Sequence, residues 1–357
     1  MIIREAGPDD GPTLVRFFLE TPMRAGTEFV FDRSPDFEAL LRLRGRHRTF
    51  VALSGQTIAG SITALWHEGY DGDRALRVGE IIDLRVATWA RGGTLTARLL
   101  AAAREAFSSE RTDWVVCLIG EHNRDAIGLV AGKAGFPPMK PMARYASVHF
   151  PAFRVPAVAK RGGVHVRAAG PKDAELLMGL ARELDAPRPF RPPHPFTWPD
   201  PAGQHQGWIA VSAEGRPLGA LITWDGMSMR RIRVVRYSAA DQLFRAAMAV
   251  ASRVGAAQAL PSPGGSMRLW ASRWFGVVES NARAARVLVR TALRAAALAG
   301  QHVLQINLAE DDPLRRALPA LPHSVYWTMV YACPMEAPGA VTLHDDGRMC
   351  FADLALV

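Results

Sequence analysis

Cysteine is scarce and scattered. Cys117, Cys333 and Cys350 are the only three in 357 residues. An odd, dispersed set argues against a disulfide framework and against a zinc site, so no metal is expected. Lysine occurs only as Lys133, Lys140, Lys160 and Lys172, so arginine supplies most of the net charge of +9. Long hydrophobic runs are missing, and no stretch reaches the roughly 20 apolar residues that cross a bilayer. The start, Met1-Ile2-Ile3-Arg4-Glu5, lacks the apolar core of a secretory signal. These absences predict a soluble, cytoplasmic protein with no membrane partner.

What is present is an ordinary globular composition, 49% hydrophobic and 22% charged. The length predicts two domains or one large one. The arginines are spread along the chain without a nucleic-acid recognition motif. They point to an acidic partner or the phosphates of a cofactor before nucleic acid. The densest run, Arg42, Arg44, Arg46, His47 and Arg48, reads as a solvated helix end.

The stretch Gly79 to Ala103 organises the rest. Glu80 to Thr88 has the β-branched and apolar content of a buried strand. Arg91-Gly92-Gly93-Thr94 breaks that pattern, and Leu95 to Ala103 starts a helix. A strand, a glycine turn and a helix N-terminus form an anion site, because the first helical N–H groups have no partner in the helix. An ordinary ligand-free turn has the same pattern.

Around it, Ile2 to Arg4 reads as a strand and Asp9 or Asp10 as the cap of a helix reaching Glu20. Ser34 and Pro35 predict a helix start, running to Arg44. Thr49 to Ser54 and Thr57 to His67 read as a hairpin around Gly55. Trp114 to Ile119 is a further strand, Asn123 to Ala134 a helix ended by Gly135, and Arg144 to Phe150 a last strand.

The pattern then restarts. Ile3-Arg4-Glu5-Ala6-Gly7-Pro8-Asp9-Asp10 is echoed by Val166-Arg167-Ala168-Ala169-Gly170-Pro171-Lys172-Asp173. Val51-Ala52-Leu53-Ser54 is echoed by Ile209-Ala210-Val211-Ser212, and Gly60 by Gly219. Matches in the same order at nearly the same offset argue for duplication. The expected organisation is one domain over 1–152, a proline- and glycine-bearing linker over 153–163, and a second domain over 164–357. Arg230 to Gly265 reads as an inserted strand and helix in the second copy, Asn281 to Ala299 as its long helix, and Met349 to Leu356 as a terminal strand.

The first copy resembles a GNAT-superfamily acyltransferase. That family's acyl-CoA loop is [QR]-x-x-G-x-[GA]. Here the frame is Arg91-Gly92-Gly93-Thr94-Leu95-Thr96, where Arg91 matches and two threonines replace the family glycines. A second family motif, roughly N-x-x-A-x-x-L-Y-x-x-x-G-F, is met by Asn123, Ala126 and Leu129. Val130 stands in place of the tyrosine, and Gly135-Phe136 comes one residue late. The whole chain is similar in layout to tandem GNAT proteins, which implies a mixed α/β fold of two GNAT-like acyl-CoA N-acyltransferase domains.

The resemblance implies transfer of an acetyl group from acetyl-CoA to a primary amine on a small molecule or peptide, with the chemistry in the N-terminal domain. It gives Glu80 the place of the general base, with Asp83 as rival; simple alternation puts the two on opposite strand faces. It gives the acyl-CoA contacts to Leu84, Val86, Arg91, Gly92, Gly93, Thr94, Leu95, Thr96 and Asn123. Tyr145, His122 or water is left to protonate the leaving thiolate. Glu279-Ser280-Asn281 occupies the corresponding turn of the second copy, and a carboxylate there opposes phosphate. The alternative is a GNAT fold without chemistry, serving as a binding or scaffold module.

Overall fold

In the computed structural model the described residues are 1–133, 135–156, 163–335, 343 and 350–355. The N-terminal half contributes strands β1 (Ile2–Glu5), β2 (Met23–Ala25), β3 (Thr27–Asp32), β4 (Arg46–Ser54), β5 (Thr57–Asp71), β6 (Arg74–Val86), β7 (Trp114–Gly120) and β8 (Lys140–Pro151). Its helices are α1 (Gly11–Glu20), α2 (Ala39–Arg44), α3 (Leu95–Ser109) and α4 (Arg124–Gly128). The C-terminal half contributes β9 (His165–Ala168), β10 (His205–Val211), β11 (Pro217–Trp224), β12 (Arg231–Arg236), β13 (Ser266–Met267), β14 (Leu269–Val277), β15 (Val303–Ala309) and β16 (Ser324–Pro334). Its helices are α5 (Ala174–Asp185), α6 (Ala239–Arg253), α7 (Ala282–Leu298) and α8 (Leu314–Ala317).

The sequence repeat is a structural repeat. In the first half Asp10 accepts from the Gly7 N–H at 2.7 Å and holds Arg4 through two bonds of 2.6 and 2.9 Å. In the second, Asp173 accepts from the Gly170 N–H at 2.7 Å and holds Arg167 through bonds of 2.7 and 2.6 Å. Each aspartate thereby fixes the turn between a first strand and a first helix. Gly60 and Gly219 also correspond. A Cβ on Gly60 would lie 2.9 Å from the Arg85 carbonyl oxygen, and one on Gly219 would lie 2.4 Å from that of Gly276. Only glycine permits these approaches.

Among the described residues twelve strands form one sheet, in the order β1-β4-β5-β6-β7-β16-β8-β15-β14-β11-β10-β9. The halves exchange their last strands. β16 pairs antiparallel with β7 on one side and β8 on the other, while β8 pairs antiparallel with β15. No sheet edge is left between the halves, and burying either exchanged strand depends on both. Helix α3 packs Leu95, Leu99, Leu100, Ala103, Ala106 and Phe107 against the first half of the sheet. Helix α7 buries Leu288, Val289, Leu293 and four alanines between Ala284 and Ala296 against the second. A second sheet, β13-β12-β3-β2, joins the halves again.

Several expected elements differ. The helix expected from Ser34 starts only at Ala39. Asp32 accepts from the Ser34 N–H and hydroxyl, and Asp36 accepts from the Glu38 N–H, so local side-chain bonds hold a turn there. The helix expected over Asn123 to Ala134 is α-helical only to Gly128. It continues as a π turn over Leu129–Lys133 containing Gly132 at φ +82°, because two glycines weaken it. Ala134 lies outside the described residues, as do 157–162 of the expected linker. Residues 350–355 of the expected terminal strand form no strand, and Met349 and Leu356 lie outside the description. The hairpin β2–β3 was not expected.

The junction of β13, β14 and β15 carries a pH-sensitive contact. His302 is buried, and its Nδ1 accepts the Arg268 N–H at 2.9 Å, which only the neutral ring can do. Burial lowers its pKa from 6.5 to about 4. The unfolded ring takes up a proton near pH 6.5 that the folded ring refuses, so stability is full above that pH and falls as pH drops towards 4. The loss is about 3 kcal/mol, at about 1.4 kcal/mol per pH unit. Thermal melts across this window are expected to show the decline. His302→Asn is expected to remove its share, with the buried ring of His205, its pKa also lowered to about 4, supplying a further part.

Candidate functional site

The site begins where β6 and β7 part. They pair in parallel from Val78 opposite Trp114 to Ile81 opposite Cys117. Beyond that point, among the described residues, no hydrogen bond crosses from 82–86 to 118–120. A bulge accompanies the split. Thr63 of β5 faces Ile82 but Ser61 faces Arg85, so Ile62 spans both Asp83 and Leu84. Asp83 takes φ +56°, and its carbonyl accepts from the Ser61 hydroxyl at 3.1 Å.

The bulge overturns the alternation expected for this strand. Ile81, Leu84 and Val86 face the α3 core, whereas Ile82 packs with α1. Glu80, Asp83 and Arg85 therefore share the opposite face instead of dividing between two. The Ala87 N–H bonds back to the Ala59 carbonyl at 2.8 Å, so residues 87 and 85 direct their backbone groups to β5. By alternation Val86, and Leu84 before it, direct theirs to the side where β7 has diverged. Half-buried Leu84 and Val86 thus line an open wedge with backbone donors and acceptors.

The wedge leads to the glycine turn. A short 3-10 turn, Thr88–Ala90, ends at Arg91, whose Nε donates to the Val86 carbonyl at 3.3 Å. This bond ties the loop to the strand end. Gly92 takes φ +83°, and a Cβ at either Gly92 or Gly93 would meet nothing within 4 Å. Helix α3 starts at Leu95 with Thr94 as its N-cap, and the Thr94 hydroxyl makes no capping bond. Among the described residues, the backbone N–H groups of Gly92, Gly93, Thr94, Leu95, Thr96 and Ala97 have no partner. Six open donors, a glycine in the left-handed region and the positive end of a 15-residue helix suit a pyrophosphate.

The two carboxylates are each held by an arginine. Glu80 pairs with Arg44 at 2.5 Å, with side chains only 7% and 6% exposed. Asp83 pairs with Arg33 through two bonds of 2.7 and 2.8 Å. Arg33 is sandwiched between the rings of Phe18 and Phe37, at 5.2 and 5.0 Å. Arg85 stacks 4.1 Å over Phe18 and donates to the Thr21 carbonyl at 2.6 Å. Burial lowers its pKa to about 10, so it stays charged at neutral pH. Arg44 was expected among solvated residues. Its neighbours Arg42 and Arg46 are exposed, but Arg44 turns inward from the last turn of α2.

The remaining candidates lie apart. Asn123 is exposed, and its Oδ1 accepts the Ala126 N–H at 3.2 Å, so it caps α4 beyond the tip of β7; no bond joins it to the loop among the described residues. Tyr145 is buried on β8 and donates to the Cys350 carbonyl at 2.7 Å, and burial pushes its hydroxyl pKa up. Its hydroxyl proton is therefore already held by that carbonyl. Val130 is buried in the α3 core. Tyr326, which sequence reasoning missed, comes from the exchanged strand β16. A Cβ on Gly120 would fall 1.8 Å from its hydroxyl oxygen, so the phenol lies on the tip of β7, with the His122 ring 6.3 Å away. The absence of a side chain at Gly120 is the one sequence signal that makes room for it.

The second half closes the corresponding features. Its strands β14 and β15 also part, after Ala271 opposite Gln305. Here the Ser272 hydroxyl accepts the Asn307 N–H at 2.8 Å, and the Asn307 side chain donates to the Ser272 carbonyl at 3.2 Å. The start of α7 is capped by Asn281, whose Oδ1 accepts from the N–H groups of Arg283 and Ala284, both at 3.1 Å. Glu279 sits in the turn before it at φ +52°.

Comparisons with known proteins agree with this layout. Residues 16–136 match the acetyltransferase (GNAT) family. No curated protein matches the chain in sequence. Among solved structures, Saccharomyces cerevisiae N-myristoyltransferase with bound myristoyl-CoA is similar at a TM-score of 0.59 and 12% identity, over 93% of this chain and 82% of that one. A probable N-acyltransferase from Enterococcus faecalis is similar at 0.52 and 10% identity, over 94% of this chain and 73% of that one. A GCN5-related N-acetyltransferase from Anabaena variabilis gives 0.51 and 11%, over 93% and 72%. At these identities the likeness is one of fold, and it extends across both halves. Residues 16–136 thus match the acetyltransferase (GNAT) family, and the α/β fold across both halves is similar to those of the N-acyltransferases above.

Proposed function

We propose that the protein is an N-acyltransferase that uses acyl-CoA, with acetyl-CoA as the first donor to test, and acts on a primary amine of a small molecule or peptide. The row of open backbone donors from Gly92 to Ala97, beside the unpaired edge of β6, carries this reading. The loop Arg91 to Thr96 holds the pyrophosphate, with the free Thr94 hydroxyl as an added donor. Backbone groups of Leu84 and Val86 hold the pantetheine arm and the acyl carbonyl. Glu80, one residue before the last β6–β7 pair, takes the proton of the attacking amine through water. Tyr326 is the candidate that returns a proton to the departing thiolate. Asn123 fixes the start of α4 at the far lip of the wedge.

One half works and the other supports it in this reading. Asn281 and the Ser272–Asn307 bridge use the groups that would otherwise meet a second acyl-CoA. Isothermal titration of the full chain with acetyl-CoA is expected to give one site per chain. Two sites would overturn the division of labour, and none with acetyl-CoA or longer acyl-CoAs would overturn the function. A scaffold reading draws on one observation: both carboxylates near the wedge are already paired with arginine.

A further inference from the structure

Helix α6 turns an apolar side away from the protein. Met248 is its one buried residue. At 3.6 residues per turn, Leu243, Ala246, Ala247, Val250 and Val254, just past the helix end, fall on the side away from Met248. Leu243, Val250 and Val254 are 76%, 63% and 79% exposed. A helix lying on a soluble domain is normally polar there. The helix is nevertheless built in. Ser238 caps it by accepting the Asp241 N–H at 3.1 Å, and Asp241 accepts from Thr27 of β3 at 2.6 Å. Met248 packs with Ala257 and Leu260.

The same segment concentrates charge. Residues 226–268 hold seven arginines and one acidic residue, Asp241. Arg231 and Arg233 pair with Asp32, Arg236 pairs with Glu28, and Arg230 is half-buried. Arg245, Arg253 and Arg268 have no carboxylate partner among the described residues. Arg253 is exposed on the outward side of α6 beside Val250, and Arg236 on neighbouring β12, its side chain 69% exposed, is paired with Glu28 at 3.3 Å. An apolar stripe framed by arginine matches an anionic lipid surface, with the stripe at the acyl boundary and the guanidinium groups at the headgroups. A second copy would bring the same positive segment against itself, which like charge opposes.

We propose that α6 seats the protein on membranes rich in anionic lipid. The contact is peripheral, since no helix among the described residues is long and apolar enough to cross a membrane. The expectation of no membrane partner rested on spanning runs, and an in-plane helix is outside its reach. The proposal stands apart from the acyl-transfer reading, because α6 contributes no residue to the wedge or the loop.

Co-sedimentation of the full chain with vesicles tests it. Binding is expected to vesicles of phosphatidylcholine mixed with phosphatidylglycerol, to weaken in high salt, and to be at least about tenfold weaker on phosphatidylcholine alone. Leu243→Asp with Val250→Asp is expected to lower binding to mixed vesicles by about tenfold or more. Both side chains point to solvent, so the melting temperature should match the wild type; if it does not, Val254→Asp, outside the helix, replaces the pair. No binding to either vesicle, or equal binding by variant and wild type, would overturn the proposal. A dimer in light scattering that the variant dissolves would also overturn it, and would assign the face to a second copy.

Discussion

Replacing Gly93 by glutamate is expected to weaken acyl-CoA binding by about 100-fold or more while leaving the fold intact. Gly93 has ordinary negative-φ or extended backbone, and a Cβ there meets nothing within 4 Å. The new side chain therefore enters open space at the mouth of the loop. There it sets a negative charge among the open N–H groups that would receive a pyrophosphate. Two unit charges about 5 Å apart at an effective dielectric of about 20 interact by about 3 kcal/mol, a factor of about 100 in affinity. The added carboxylate also competes for the same donors. Titration calorimetry of wild type and Gly93→Glu, with thermal melts on both, separates the outcomes. Equal affinity with equal melting would remove acyl-CoA from this loop. Gly92 is the poorer choice of position, because at φ +83° any side chain strains the turn itself.

Much of the path to this site was legible because it rests on local signals. Strands rich in valine and isoleucine, a double glycine and an alanine-leucine helix mark the order of elements from Gly79 to Ala103. The Gly-Pro-x-Asp turns mark both beginnings, since each aspartate serves its own turn three residues back. Asn281 was legible as the start of α7 for the same reason. What was hidden depends on distant pairing. Strand β16 meets β7 across about 200 residues of chain, and nothing in either strand alone names its partner. The hairpin β2–β3 is short and finds its neighbour β12 in the other half. The bulge at Asp83 places a non-glycine residue in the left-handed region, which no turn residue announces. That single bulge decides which carboxylates share a face. Arg44 was hidden by its company: in a run of arginines, periodicity does not tell which one turns inward to a buried glutamate.

The placement of Glu80 and Asp83 on one face makes their roles separable by substitution. Glu80→Gln keeps an oxygen to accept from Arg44 but removes the charge that balances it. Breaking a buried pair outright costs about 3–5 kcal/mol, and the retained hydrogen bond should keep the loss below that range. If Glu80 takes the amine's proton, turnover is expected to fall by about 10²- to 10⁴-fold, with acyl-CoA affinity unchanged because the loop is untouched. Asp83→Asn is the internal control. Arg33 holds Asp83 through two bonds between two phenylalanine rings, so this variant should lose stability with a much smaller loss of turnover. If Glu80→Gln melts earlier yet turns over at the wild-type rate, the glutamate is a structural partner of Arg44 and the base lies elsewhere. If Asp83→Asn takes the large kinetic loss instead, the bulge has delivered its aspartate to the amine and Glu80 is the anchor. The split between melting and turnover in the two variants thus reads directly which arginine pair the chemistry interrupts.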